Sequence, residues 1–537
     1  MSNLLLNFPD GYTPSEPQVL ILNAIEKNIA NGVKYTIINA PTGSGKGHIP
    51  KTLANSIDSP SDHYRDCVDN YSIFSDNGPS LIESEPPFGV YALTITKSLQ
   101  DQYKNTFENT GILKGQSNYQ CAIDDTMSVD IAPCIYIKGL KNDCWKANKC
   151  PYYNARNEML KNTFSTLNYS MFFSLPEHLK KRKIIVCDEG SELEEQLVGQ
   201  FSCVVDIPFL VRTNTKVSSF PTQETPTKVI RWLNDLIMSL CQNIEDYKQY
   251  LKDNKGSSEF FKKSGEYTKL LNLQGSLQIL VTTFYDSEYI IEHENKNIKF
   301  TPLKVDKLSQ YIFNHAEHII IMSATIIDHK SFCKNLGIVE YEYIEVDTEF
   351  DHDKGPIHIM AKQKINYSNL KEMLPKLSKQ VKGILNEHEN EKGIIHTHTQ
   401  YISDYLRDNI KNDRLLCREA GVRNEEILDI HEKTKTPTVL VSPSMTYGVD
   451  LKGDLAKFQI IIKAPWLPTK DRRVEKMMKL DKSWYSNKML CTLVQACGRG
   501  IRSKDDECVT YILDGSIYDS ILKNRNKLPK YFIDRFV

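Results

Sequence analysis

Short β-branched or apolar runs alternating with stretches of helical period set the rhythm of most of this chain. Strands are predicted at 34–39, 90–95, 183–187 and 318–322, as short β-branched or apolar runs. Ahead of the first, Val19, Leu22, Ile25 and Ile29 have amphipathic-helix spacing, and after the second Thr96 is suited to cap a helix starting at Lys97. Between about 201 and 297 the alternation breaks. There Val229, Trp232, Leu233, Leu236 and Leu240, then Leu273, Leu277, Leu280, Val281 and Phe284, predict two long amphipathic helices. A hairpin with strands around 289–291 and 298–300 follows. From about 356 the alternation returns, with strands expected at 357–359, 393–396, 438–441, 458–462 and 509–513. This is a second parallel α/β domain without a phosphate loop of its own, hence a partner lobe. The stretch 56–88, rich in Ser, Asp, Asn and Pro, reads as a long surface insertion.

Length changes this picture little, since 537 residues fit about three domains. A chain that is 40% hydrophobic and 25% charged has the balance of a globular protein, and no apolar run approaches the ~18 residues of a membrane span. Residues 1–8 lack the basic and small-residue features of a secretion signal, so a cytoplasmic protein is expected. A net charge of -1 gives no global pull towards nucleic acid, and any such binding must use local basic surface. Thirteen cysteines read as thiols or metal ligands rather than disulfides. Cys187, Cys203, Cys241 and Cys497 are expected in the core. Cys121, Cys134, Cys144 and Cys150 instead crowd into one strand-poor segment.

The chemistry starts at Ala40-Pro41-Thr42-Gly43-Ser44-Gly45-Lys46-Gly47, which follows the first strand. Glycines let backbone N–H groups turn towards an anion, and the lysine reaches the outer phosphates of a nucleotide. The motif asks for Ser or Thr after the lysine to hold Mg²⁺, and here that residue is Gly47. Pro50 requires the following helix to begin near Lys46. Gln18, at the start of the preceding helix, could read adenine through its amide. Asp188 and Glu189 end the third strand, where a nucleotide site needs a Mg²⁺ carboxylate and a base that orients water. The four crowded cysteines are spaced C-x12-C-x9-C-x5-C. Zinc sites usually use closer pairs, four thiolates suit a [4Fe-4S] centre, and spacing alone leaves cluster, zinc and ordinary thiols open. Lys138, Lys141, Lys146, Lys149, Arg156 and Lys161 nearby could contact phosphates or form a solvated face. Tyr119, Trp145, Tyr152 and Tyr153 could stack on bases or pack locally.

An ordered series of phrases then resembles the XPD/DinG family of iron-sulfur superfamily 2 DNA helicases. It runs from Ala40–Gly47 through Leu113–Cys121, Cys150–Tyr153, Leu167–Tyr169 and Asp188–Ser191 to Ser323–Thr325, Tyr447–Leu451 and Gln495–Arg502. The resemblance implies an α/β fold of two RecA-like motor domains, the first interrupted by a cluster domain and a mainly helical arch. The expected boundaries are 1–112, 161–203 and 298–350 for motor domain 1, 113–160 for the cluster, 204–297 for the arch and 351–537 for motor domain 2. Implied too are ATP as substrate, Mg²⁺ on Asp188 and a [4Fe-4S] cluster on the four cysteines. So are single-stranded and forked or tailed duplex DNA as partners, 5′ to 3′ movement and a monomeric motor. Asp450 is implied at the nucleotide, and Ser323, Ala324, Thr325 and Gly448 in coupling. Gln495 is expected to begin a helix on which Arg499 and Arg502, three apart, share a face and serve as arginine fingers. The chain departs from the family pattern at Gly47, at Gln116 for arginine, at Tyr447 for glutamate, and at Gly190-Ser191 for Ala-His. These departures motivate a second reading, a DNA-binding or remodelling protein with an attenuated ATPase. A helicase acting on RNA is a third.

Overall fold

Parallel pairing of the apolar runs builds two separate sheets. The structure, a computed structural model, describes residues 3–70, 86–137, 140, 143–144, 149–254, 259–348, 351–360, 363–417, 424–443, 451, 453–501 and 505–537. In chain order the strands are β1 Tyr35–Asn39, β2 Val90–Thr94, β3 Thr110–Ile112, β4 Phe164–Asn168, β5 Arg182–Cys187, β6 Cys203–Asp206, β7 Tyr289–Glu294 and β8 Asn297–Pro302. They continue with β9 Ala316–Ser323, β10 Glu342–Glu345, β11 Ile357–Ile359, β12 Gly393–His396, β13 Leu415–Cys417, β14 Val439–Ser442, β15 Phe458–Ile461 and β16 Val509–Ile512. The first lobe is a seven-stranded sheet in the order β10-β1-β9-β5-β2-β4-β3, and the second a six-stranded sheet in the order β11-β16-β15-β12-β14-β13. Both are parallel throughout, the two-domain α/β architecture that the alternation predicts.

The apolar runs are continuous because each sheet is covered on both faces. In the first lobe Ile37, Tyr91, Ile185 and Ile321 enter one core, while their neighbours Ile38, Ala92, Val186 and Ile320 enter the core opposite. Successive side chains on a strand point to opposite faces, so a two-sided core leaves few positions for polar residues, and two of those present, Asn39 and Gln459, are hydrogen-bonded.

The two long helices form at Pro226–Asp253 and Phe260–Thr283. Their apolar stripes share a core with Val205 of β6, Ile298 and Phe300 of β8, and Met127 and Tyr136 from the cysteine-bearing segment. Tyr136 meets Phe260 edge-on at 5.8 Å. Arch and cysteine segment are therefore one packed wall.

Several expectations are corrected. The stretch 56–88 is not all irregular: Asp62–Asn70 is a helix, with Tyr64 and Val68 buried in the first-lobe core. The hairpin is joined by β6 in an antiparallel sheet ordered β6-β8-β7, which crosses the expected boundaries at 203/204 and 297/298. Cys241 is exposed, because it lies one residue beyond the buried edge marked by Leu240. Gln495 closes a helix, Lys482–Cys497, instead of beginning one. That helix is set by Trp484, Met489, Leu490, Leu493, Val494 and Cys497, all buried, and stops at Gly498. No helix among the described residues is long and apolar enough to cross a membrane.

Candidate active site

β9 lies between β1 and β5, so three adjacent strand ends deliver the sequence-predicted residues to one place. Asn39 stands opposite Ser323 and Cys187 opposite Ile321. Ala40, Ser323 and Asp188 therefore emerge side by side at the carboxyl edge, where open α/β sheets bind ligands.

The loop after β1 turns through Gly43 at φ 81° and Gly45 at φ 72°. A Cβ on Gly45 would lie 2.2 Å from Gln18 Nε2, so both backbone angle and space call for glycine. The helix His48–Asn55 follows, with Pro50 inside its first turn. Lys46 Nζ donates to the carbonyls of Ala40 at 2.8 Å and Pro41 at 2.9 Å. Ser44 Oγ donates to Pro41 O at 2.7 Å. Gln18 does not present an open amide. Its Oε1 accepts from the Ser15 N–H at 2.8 Å and its Nε2 donates to Gly45 O at 2.9 Å, tying the first helix to the loop.

Asp188 stands half-buried at the end of β5, lining the cleft. Its Oδ2 accepts from the Tyr103 hydroxyl at 2.9 Å, and its Oδ1 from the Glu189 N–H at 3.0 Å. Burial, then the charge of Glu189, raise its pKa to about 6 against the pull of Lys46 and Tyr103. Glu189 sits at φ 52°, ψ 46°, a left-handed conformation that is strained for a residue with a side chain. Among the described residues no three His, Cys, Asp or Glu side chains are arranged to hold a metal ion. A magnesium ion arriving on nucleotide phosphates needs only one or two protein carboxylates, and Asp188 fits that donor chemistry.

The second lobe closes the site. A cleft of about 350 Å³ is lined by Thr42, Gly43, Gly45, Lys46, Gly47, Tyr103, Asp188 and Glu189 from the first lobe and by Gln495 and Arg499 from the second. Thr42 Oγ1 donates to Gly498 O at 3.4 Å. A Cβ on Gly498 would come within 3.1 Å of Thr42 Oγ1, so glycine permits this approach. His396, on β12, is held down at about 4 by burial and by the charge of Arg499, and is therefore neutral. Arg502, Gly448 and Asp450 lie outside the described residues.

Ser191, where the family has histidine, is the hub of a buried hydroxyl network. Its Oγ accepts from Gln495 Nε2 at 3.2 Å and shares hydrogen bonds with Ser323 Oγ at 3.0 Å and Thr325 Oγ1 at 3.1 Å. Gln495 Nε2 also reaches Thr325 Oγ1 at 3.2 Å, and the Tyr531 hydroxyl donates to Ala324 O. The acidic strand end, the Ser-Ala-Thr turn and the second lobe thus touch through one small side chain.

At the cysteine segment the thiols act on one another. Burial first, then the charges of Cys150 and Cys121, push the Cys144 thiol up, with a side-chain hydrogen bond to Cys150. Tyr153 lies within electrostatic reach of Cys150, Cys134 and Cys144, and Tyr136 of Cys134 and Cys121. Cys121 Sγ accepts the Ile123 N–H at 3.4 Å, and Cys150 caps the Pro151–Lys161 helix, an end that favours anionic groups. Cys144 thus lies within electrostatic reach of Cys150 and Cys121, soft donors whose chemistry suits a thiolate-held cluster, although among the described residues the thiols are not gathered into a group of three around one point. The aromatic residues here pack: Tyr152 and Tyr153 are buried, with Tyr119 edge-on to Tyr152 at 5.7 Å. Arg156 is buried under Tyr153 at 4.7 Å and Lys161 pairs with Asp69, so neither is an open phosphate contact. Lys138, Lys141, Trp145 and Lys146 lie outside the described residues.

A second contact between the lobes was invisible in the sequence. Glu194, on the Leu193–Phe201 helix just past the acidic pair, accepts from Arg473 Nη2 at 2.5 Å and from Trp484 Nε1 at 3.0 Å. It also pairs with Lys488 Nζ at 2.9 Å.

Against known proteins, residues 375–533 match the helicase C-terminal domain family. A solved XPD helicase superposes with a TM-score of 0.61 over 94% of this chain and 97% of its own, at 16% identity. The chain carries the XPD helicase fold. An apo XPD structure agrees at a TM-score of 0.54, 15% identity and 95% and 98% coverage. S. tokodaii Xpd4 gives 0.54 at 15% identity, with 93% and 96% covered. No curated protein sequence matches this chain. With this helicase fold, the two sheets are its RecA-like lobes, and the cleft at Lys46 lies where they meet.

Proposed function

We propose that this protein is an ATP-dependent DNA helicase of the XPD/DinG type, moving 5′ to 3′ on single-stranded DNA and opening forked or tailed duplexes. The observation that carries the reading is the cleft in which Lys46, Asp188 and Glu189 of one lobe face Gln495 and Arg499 of the other. Lys46 exchanges its loop carbonyls for the outer phosphates, and the backbone N–H groups of 43–47 cradle them. Asp188 holds the magnesium ion that arrives with the nucleotide, which neutralises phosphate charge there. Glu189 orients water, and Arg499, with Arg502, offsets charge on the transferred phosphoryl group. Ser323, Ala324 and Thr325, with Gly448, relay closure to the strand path, and Asp450 contacts the nucleotide. Ser191 serves as the link that histidine supplies in the family. DNA is gripped by backbone charge and stacking, so affinity falls as salt rises.

Single-stranded DNA is expected to stimulate ATP hydrolysis by freshly purified, anaerobic protein, and Lys46→Ala to lower the rate by about a hundredfold or more, as for loss of one preorganised donor. A Lys46→Ala protein hydrolysing at the parent rate overturns the site. A response flat to DNA favours the attenuated remodelling protein motivated by Gly47, and preferential stimulation by RNA favours an RNA substrate.

Cys121, Cys134, Cys144 and Cys150 are assigned a [4Fe-4S] cluster, supported by the electrostatic reach of Cys144 to Cys150 and Cys121 and of Cys134 to the neighbouring Tyr136 and Tyr153. Such a cluster would brace the wall shared with the arch. Anaerobic protein is expected to be brown, to absorb near about 400 nm through sulfur-to-iron charge transfer, and to release sulfide on acidification. Cys144→Ser is expected to lose the band; a colourless protein binding stoichiometric zinc overturns the assignment.

A further inference from the structure

The phosphate loop has glycine where its motif asks for a hydroxyl, and another element brings a hydroxyl up beside that glycine. Tyr103, on the helix Lys97–Thr106, donates to Asp188 Oδ2 at 2.9 Å. Its ring borders the empty side of Gly47: a Cβ built there would meet Tyr103 Cε1 at 3.9 Å and, chain neighbours aside, no other atom within 4 Å. The ring is buried and packs on Phe107 and Phe164, so the hydroxyl is held in place by apolar contacts. Asp188 Oδ1 is fixed from the other side by the Glu189 N–H.

We propose that Tyr103 is a positioning residue that compensates, from the adjoining helix Lys97–Thr106, for the hydroxyl missing at Gly47, by fixing Asp188 for the magnesium ion of the nucleotide. The inference rests on the ATPase reading above. A phenol gives its one proton to the carboxylate and leaves the remaining lone pairs of that carboxylate for a cation. A serine hydroxyl at 47 would act on the magnesium ion itself, whereas the Tyr103 hydroxyl acts on the carboxylate that would hold it; both serve one ion, so the first can offset loss of the second. Where position 47 carries a hydroxyl, the one at 103 becomes dispensable. Gly47 has φ −58° and ψ −22°, a conformation open to any L-residue, and a serine side chain there finds room.

The test compares the parent with Tyr103→Phe, Gly47→Ser and the double variant, by equilibrium binding of a fluorescent ATP analogue in Mg²⁺ and in EDTA. The phenylalanine keeps the ring packing, so melting temperatures are expected to match. In the parent, Mg²⁺ tightens nucleotide binding. In Tyr103→Phe that tightening is expected to shrink about tenfold, as for one lost hydrogen bond to a charged group, while affinity in EDTA is unchanged. The double variant is expected to regain it to within about threefold. Parent-like Mg²⁺ tightening in Tyr103→Phe, or a double variant no better than Tyr103→Phe, overturns the inference alone. A parent that binds no nucleotide overturns the ATPase reading and this inference with it.

Discussion

Arg499→Ala is expected to slow DNA-stimulated ATP hydrolysis by about a thousandfold or more, the range in which arginine fingers act, while nucleotide affinity stays within severalfold. The asymmetry follows from where charge develops. On the proposed reading, Lys46 and the loop amides would meet phosphates already charged in the ground state, whereas a guanidinium reaching from the second lobe would be aimed at the oxygens that gain charge as the phosphoryl group leaves. Arg499 follows Gly498, whose lack of a side chain lets it approach Thr42, and it lines the same cleft as Lys46, Asp188 and Glu189. His396 beside it is neutral and adds no second cation. Arg499→Lys is expected to recover little, since an ammonium cannot reproduce the planar fork. Parallel measurement of hydrolysis and nucleotide binding decides the matter: a variant within tenfold of the parent rate removes Arg499 from the transition state.

The central strands were legible because burial on both faces left them almost wholly apolar, as in Ile184 to Val186 and Ile319 to Ile321. Of the edge strands, β11 and β7 were expected but others were not, and the interior β4, Phe-Ser-Thr-Leu-Asn, was missed as well because polar residues interrupt it. β3 and β10 flank the first sheet and β13 one end of the second; each has only three or four residues, too few for a periodic signal, and β10 is also polar and partly exposed. β6 escaped for a related reason, its Val204 facing solvent while Val205 is buried. At the site, the loop and the acidic pair could be read because the motif residues are contiguous. Tyr103 could not: it lies 85 residues from Asp188, on a polar helix with nothing local to mark it. Ser191 was legible only as the loss of a histidine, although its hydroxyl is what joins Ser323, Thr325 and Gln495. The end of the Lys482–Cys497 helix was misjudged because Gln495 was read forward from the motif. The buried stripe running back to Trp484 was the better guide.

Glu194→Ala is expected to destabilise the joined lobes by about 3–5 kcal/mol, the cost of removing one partner from a buried ion pair. Arg473 and Lys488 would be left in the interior without the carboxylate that holds them at 2.5 and 2.9 Å. Burial alone would raise the Glu194 carboxyl, but Lys488 and Arg473 outweigh it and hold it near about 2. Burial likewise works against Lys488, and Glu194, Glu195 and Glu192 raise it nonetheless. The signs set the pH window. A depressed carboxyl gives stability that is complete above its unfolded value of 4.5 and drains away as pH falls towards about 2. A raised ammonium gives stability that is complete below its unfolded value of 10.5 and is lost only above it. The contact is therefore at full strength near neutrality and is lost first on the acid side. Its position gives it mechanical meaning. Trp484 and Lys488 root the helix that carries Gln495, eleven residues on from Trp484 and about 16 Å away at 1.5 Å per residue. With the root fixed, closure on nucleotide must swing or shift the Gln495 end. Urea unfolding should show Glu194→Ala with an earlier midpoint near pH 7, a gap that narrows below pH 4. Replacing all three charges by Leu and Met should recover much of the loss, because no buried charge is then stranded. An unchanged midpoint for Glu194→Ala would mean that the lobes are joined elsewhere, by Lys527 and Asp328 at 2.8 Å and by the apolar contacts of Val474, Met477 and Trp484 with Ile290 and Leu303.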